Sequence, residues 1–178
     1  MEWNVVLTIY QDGFRRVIRA LRNLGAIERT QYHNVLVVKA DDPRAFLEQV
    51  EQMTRADPAL YDSISRVAPA TRAFPFQSAD EFLKKARTVV CEWLPQLRDR
   101  SFHVRVHRRG MSSPPSSSEL EQSLGETLLD GLKQQGAAGT ISFSDPEAVI
   151  AIDTVDDRAG LALWSREDLT GHKMLRPD

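Results

Sequence analysis

The segment Ser101–Gly110 reads Ser-Phe-His-Val-Arg-Val-His-Arg-Arg-Gly, and its alternation leaves few ways to fold. A period of two sends Phe102, Val104 and Val106 to one side of a strand and His103, Arg105, His107 and Arg109 to the other. The apolar row needs a core to cover it. The other row becomes a ridge of cationic or protonatable groups, able to meet a polyanion while the first row stays buried.

The formal net charge of −2 hides an uneven distribution. Residues 1–60 balance at zero, residues 61–110 carry +5, and residues 111–178 carry −7. A local basic surface inside an otherwise acidic chain follows from that asymmetry. Cys91 is the only cysteine, which excludes an intrachain disulfide and a zinc site built on several cysteines. It falls in an apolar helical run, where a buried, inert thiol is expected. No apolar stretch reaches the roughly 20 residues needed to span a membrane. Met1-Glu2-Trp3-Asn4 lacks the basic start and apolar core of a signal peptide, so a cytoplasmic location with no membrane partner is expected.

Trp3–Tyr10 predicts a strand, closed by the turn signal Asp12-Gly13. Phe14–Leu24 predicts a helix with Phe14, Val17, Ile18, Leu21 and Leu24 on one face and Gly25 as its C-terminal cap. Arg15, Arg19 and Arg22 form a stripe along one edge of that face. Their stems could snorkel over the core boundary, or the stripe could face phosphate. Asn34–Ala40 predicts a second strand, Asp42-Pro43 opens a helix that Pro58 ends, and Ile64–Phe76 is extended. This order is that of an incomplete ferredoxin-like α/β unit, in which one sheet with helices on a single side buries the apolar faces.

Ser78 with Glu81 makes a capping box before a helix whose stripe is Phe82, Leu83, Ala86, Val89, Val90, Trp93 and Leu94, with Pro95 at its exit. After the basic strand, Met111–Ser118 predicts a mobile loop. Ser118 with Glu121 makes a second capping box, opening a helix to about Gln135. Thr140–Phe143, Ala148–Val155 and Gly160–Trp164 read as strands, with Asp145-Pro146 turning between the first two. The expected class is α/β (α+β), with a first domain at 1–77 and a second at 78–178.

His103 and His107 share a strand face about 13 Å apart, too far to chelate one metal together. Neither a nucleophile elbow Gly-x-Ser-x-Gly nor a phosphate-binding glycine motif occurs. With no catalytic constellation in view, the chain is expected to be no enzyme and to hold no cofactor or metal. The ridge at Arg105, by contrast, runs through Arg108-Arg109-Gly110 into the Ser/Pro loop beside the helix start at Ser118. A helix N-terminus favours phosphate, so strand, loop and helix start together suit a nucleic-acid end.

The run Phe102–Gly110, then Ser118-Glu-Leu-Glu-Gln-Ser-Leu-Gly125, then Phe143-Ser-Asp-Pro-Glu-Ala-Val-Ile-Ala-Ile152 resembles the THUMP domain over roughly residues 78–170. The first half resembles the ferredoxin-like domain that often precedes it. As a whole the chain resembles the tRNA-binding adaptors that assist a cytidine acetyltransferase. The resemblance implies binding of the tRNA acceptor stem and its single-stranded 3′ end. It implies contacts from Arg105, His107, Arg108, Arg109, Gly110 and Ser118, with His107 where many relatives have Lys. His103, Arg15, Arg19 and Arg22 are secondary RNA-binding residues in this reading. It also implies a separate tRNA-modifying enzyme as partner, an acetyltransferase being the example, because neither a pyrophosphatase-type loop nor a Rossmann-like methyltransferase domain fits within the 178 residues. Two rivals stand beside it: a protein-interaction scaffold using the acidic C-terminal segment, and a small enzyme built on a polar pocket holding both His103 and His107.

Overall fold

Val5, Val6, Leu7 and Ile9 are all buried, and the strand they form, β1 (Val5–Ile9), has a neighbour on each side in the computed structural model, which describes residues 1–177. The chain follows it with α1 (Phe14–Leu21), β2 (Ala26–Arg29), β3 (Val35–Lys39), α2 (Pro43–Ala56), α3 (Pro58–Tyr61) and β4 (Ile64–Pro69). These elements form a first unit, Met1–Thr71 together with His172–Arg176. Its sheet has the order β2-β3-β1-β4 with every pair antiparallel. The element order is therefore β-α-β-β-α-β, one strand more than the sequence pattern predicts.

That strand is β2, a short edge with only Ile27 partly buried, which leaves no alternation to read. The same region corrects two further expectations. Helix α1 stops at Leu21 rather than Leu24, and Gly25 is not its cap. Gly25 is required instead by close approach: a Cβ there would lie 2.6 Å from the Lys39 carbonyl oxygen. At the other edge, the Val67 N–H donates to the Met174 carbonyl at 2.9 Å and Arg66 Nε donates to the Leu175 carbonyl at 3.1 Å. Met174 and Leu175 are buried, so the returning segment covers an otherwise open strand edge. His172 Nδ1 and Glu51 Oε1, 2.6 Å apart, fasten it further.

The second unit is Arg72–Gly171 with Pro177. It contains β5 (Arg72–Pro75), α4 (Ala79–Cys91), α5 (Leu94–Leu97), β6 (Arg100–His107), α6 (Ser117–Gln134), β7 (Gly139–Ile141), β8 (Ala148–Val155), β9 (Arg158–Ser165) and α7 (Arg166–Gly171). The sheet order is β5-β9-β8-β6-β7, with β6 parallel to β7 and β8 and the remaining pairs antiparallel. The division falls between Thr71 and Arg72 because the extended stretch 64–76 is two strands: β4 pairs with β1, β5 with β9.

Leu120, Leu124, Leu128 and Leu132 recur every fourth residue along α6 and are all buried against Phe102, Val104 and Val106 of β6 and Phe82, Ala86 and Val90 of α4. The N-cap of α6 is Ser116, paired in a capping box with Glu119, and not Ser118 with Glu121. Pro95 lies in the first turn of α5, where its missing N–H is harmless, and α4 has already ended at Cys91. No helix of the described residues is long and apolar enough to cross a membrane.

Candidate nucleic-acid interface

The strand β6 places its inward row as the alternation requires, with Phe102, Val104 and Val106 in the core. The outward row is not a uniform ridge. His103 is buried, and its Nδ1 donates to the Ser142 carbonyl at 3.1 Å. Arg105 is exposed. Half-buried His107 donates from Nε2 to the Pro177 carbonyl at 2.7 Å. The Arg109 guanidinium stands 3.2 Å from Oδ1 of the buried Asp153, its side chain only 19% accessible.

Each arginine of the ridge thus has a partner. Arg105 Nη1 lies 3.7 Å from Glu121 Oε1, with the arginine side chain 44% accessible. Glu121 Oε1 also accepts the Val106 N–H at 2.9 Å. The reason is local: β7 pairs with β6 only over residues 100–102, so the strand's far half lacks a neighbour there and α6 supplies the acceptor. Arg108 Nη1 donates to the Pro115 carbonyl, holding the loop before α6. Arg109 is fixed again through its backbone, its N–H donating to Thr154 Oγ1 at 3.0 Å.

These contacts grade the cations. The Arg105 guanidinium meets solvent and stands a long 3.7 Å from Glu121, so the pair contributes about 0–1 kcal/mol and a phosphate can compete for Arg105. The Arg109–Asp153 pair is largely desolvated, and its loss would leave a buried carboxylate. Gly110 adopts a φ of 93°, a conformation that favours glycine, and opens on a cavity of about 520 Å³ that Asp156 and Asp157 also line. Those carboxylates oppose an anion at that end. Ser118 is exposed in the first turn of α6.

Ser118 and His103 also line one groove of about 380 Å³, with Val104, Glu121, Gly125 and Phe143 among its other walls. Phe143 is 74% exposed and stacks on the His103 ring at 5.7 Å between centroids. His107 is not part of this groove, which therefore does not bring the two histidines together. The described residues contain no cluster of three or more His, Cys, Asp or Glu side chains that could hold a metal. Sequence reasoning missed Glu121 and Phe143, which gain their roles only when α6 and the turn after β7 meet β6.

The secondary residues lie in the first unit. Arg15 and Arg19 are exposed on α1, and Arg22 is exposed at its C-cap. A cavity of about 430 Å³ there is lined by Asp12, Arg15, Arg16, Arg19, Ala20 and Asp57, bringing in Arg16, which the stripe did not include.

The sequence model of the THUMP domain matches residues 76–163. The chain carries a THUMP domain. It spans β6, α6 and β8, so Arg105, His107, Arg108, Arg109, Gly110 and Ser118 all lie within it, and Arg15, Arg19 and Arg22 lie outside. No curated protein matches the chain. Among solved structures, PH1313 from Pyrococcus horikoshii aligns at a TM-score of 0.62 and 12% identity, covering 90% of this chain and 53% of that one. TrmN from Thermus thermophilus aligns at 0.58 and 17% identity, over 90% and 44%. A 4-thiouridine synthetase solved with RNA and bound ATP aligns at 0.57 and 14% identity, over 92% and 42%. The chain therefore spans about half the length of these relatives. At such identities the likeness is one of fold.

The comparisons correct one expectation. The absence of a catalytic motif pointed to a chain that is no enzyme, but the fold recurs inside enzyme chains, the thiouridine synthetase among them. The fold of this chain makes up about half of such chains, so the lack of a motif within it does not separate it from catalysis.

Proposed function

We propose that this chain binds tRNA through its THUMP domain and presents it to a tRNA-modifying catalytic unit. The observation that carries the reading is the domain match over residues 76–163, which includes the whole basic strand and the helix after it. The structural neighbour solved with RNA supports the ligand class. Recognition rests on phosphates, helix shape and a single-stranded end rather than on base sequence within a duplex.

Arg105 is the leading contact in this reading, since its side chain is 44% accessible and its ion-pair distance to Glu121 is a long 3.7 Å. Arg108, Gly110 and Ser118 frame the loop and helix start beside it, with His107 at the strand end. Arg109 shapes the strand exit through Asp153 and Thr154. The finer reading is an adaptor serving a cytidine acetyltransferase, and it rests on the family resemblance of the motif order.

The test is fluorescence anisotropy with intact tRNA, the same tRNA trimmed of its single-stranded 3′ end, and duplex DNA as competitor. Intact tRNA should bind more tightly than the trimmed form and resist the DNA. Equal affinity for all three would remove the specific reading, and no binding of tRNA at low salt would remove RNA altogether.

A further inference from the structure

Helix α1 carries Arg15, Arg16 and Arg19, its C-cap is Arg22, and it has no acidic residue. That arrangement costs stability in three ways. Arg15 and Arg19 are like charges at i, i+4, as are Arg19 and Arg22 at i, i+3. Two cations occupy the first turn, the end of a helix that favours anions. The N-cap, Gly13, offers no side-chain hydrogen bond to the first turn.

Partners that would offset this are missing. None of the four arginines forms an ion pair with another described residue; Arg16 donates to Ser63 Oγ at 3.0 Å. The two carboxylates that line the same cavity, Asp12 and Asp57, face three arginines there and stand within ion-pair distance of none of them. Asp57 is committed to capping α3, its Oδ1 accepting the Ala59 and Leu60 N–H groups at 3.1 and 3.2 Å, and Asp12 lies exposed in a turn. By contrast Arg105, Arg108 and Arg109 of the THUMP domain are all bonded within the protein. The arginines of α1, unlike those at the exit of β6, thus reach solvent with no ionic partner among the described residues.

Given the reading of the chain as a tRNA binder, on which this rests, we propose that Arg15, Arg16, Arg19 and Arg22 form a second phosphate-binding surface that takes the backbone of double-helical RNA. Side chains three and four apart on a helix lie about 5–6 Å apart at Cβ, so the stripe offers guanidinium groups in a row rather than at a point. The cavity lining contains no aromatic side chain on which an unpaired base could stack. Phosphates along a duplex fit such a surface; a splayed single strand does not.

The experiment uses the whole chain and one tRNA, reading affinity across a salt series for the wild type, for R15Q/R19Q/R22Q and for R105Q. The triple variant, whose substituted side chains are solvent-exposed, should bind more weakly and lose about 2–3 from the magnitude of the log–log salt slope. A second readout needs no substitution: bound tRNA should protect Arg15, Arg19 and Arg22 of the wild type from phenylglyoxal, seen by peptide mass. Wild-type binding with an unchanged slope in the triple variant and no protection would overturn this surface while leaving the THUMP reading intact. A wild type that binds no tRNA would overturn both.

Discussion

Arg105 and Val106 share one carboxylate: Glu121 Oε1 stands 3.7 Å from the guanidinium and 2.9 Å from the neighbouring N–H. A single oxygen therefore completes the open edge of β6 and restrains the exposed cation of its outward row.

The two roles separate on substitution. Glu121→Gln keeps an oxygen for the Val106 N–H and removes the charge facing Arg105. It should leave stability within about 1 kcal/mol and strengthen tRNA binding at low salt. Glu121→Ala strands the amide and should cost about 1–3 kcal/mol. Urea denaturation beside tRNA titration checks both, and weaker binding by a stable Glu121→Gln variant would count against Arg105 as a contact.

Arg105→Ala and Arg109→Ala should differ in kind. The first removes a long, half-exposed pair worth about 0–1 kcal/mol and should act on RNA affinity. The second leaves Asp153 buried without its guanidinium and should destabilise by about 3 kcal/mol, read from the denaturant midpoint. Equal midpoints for the two variants would show that the Arg109 pair holds nothing together.

Gly25 tests the packing of the first unit. An alanine Cβ would meet the Lys39 carbonyl oxygen at 2.6 Å and Val38 Cγ1 at 2.9 Å. Gly25→Ala should therefore cost about 1–3 kcal/mol through displacement of β3. A thermal melt unchanged from the wild type would refute the close approach.

At the start of α4, the Lys85 ammonium hydrogen-bonds Glu81 and, more weakly, the Gln77 N–H does so, holding the Glu81 carboxyl below its ordinary range. A lowered folded-state pKa means that Glu81's stabilising contribution is present above the ordinary glutamate range. It is lost as pH falls through the lowered value. NMR titration should give a Glu81 midpoint below that of a free glutamate, and Lys85→Met should raise it. A midpoint indifferent to Lys85 would contradict the assignment.

Strand β6 was legible because an unbroken alternation of eight residues has few other ways to satisfy its apolar row. Helix α6 was legible from leucines at every fourth position, though its cap was not, because three serines in a row, Ser116, Ser117 and Ser118, offer the same hydroxyl. Strand β2 was not legible: one partly buried isoleucine on an edge carries no period. Nor was the return of Met174 and Leu175 to β4, since two apolar residues in a polar tail name no partner. The ridge was visible as charge, yet its neutralisation was not. Asp153 lies 44 residues from Arg109 in sequence, and the fold alone brings them together.

Equilibrium binding of the wild-type chain to tRNA across a salt series tests the central claim most directly. The account predicts measurable affinity at low salt, with log K falling linearly as log salt rises. No binding at the lowest salt, or binding that ignores salt, would contradict it.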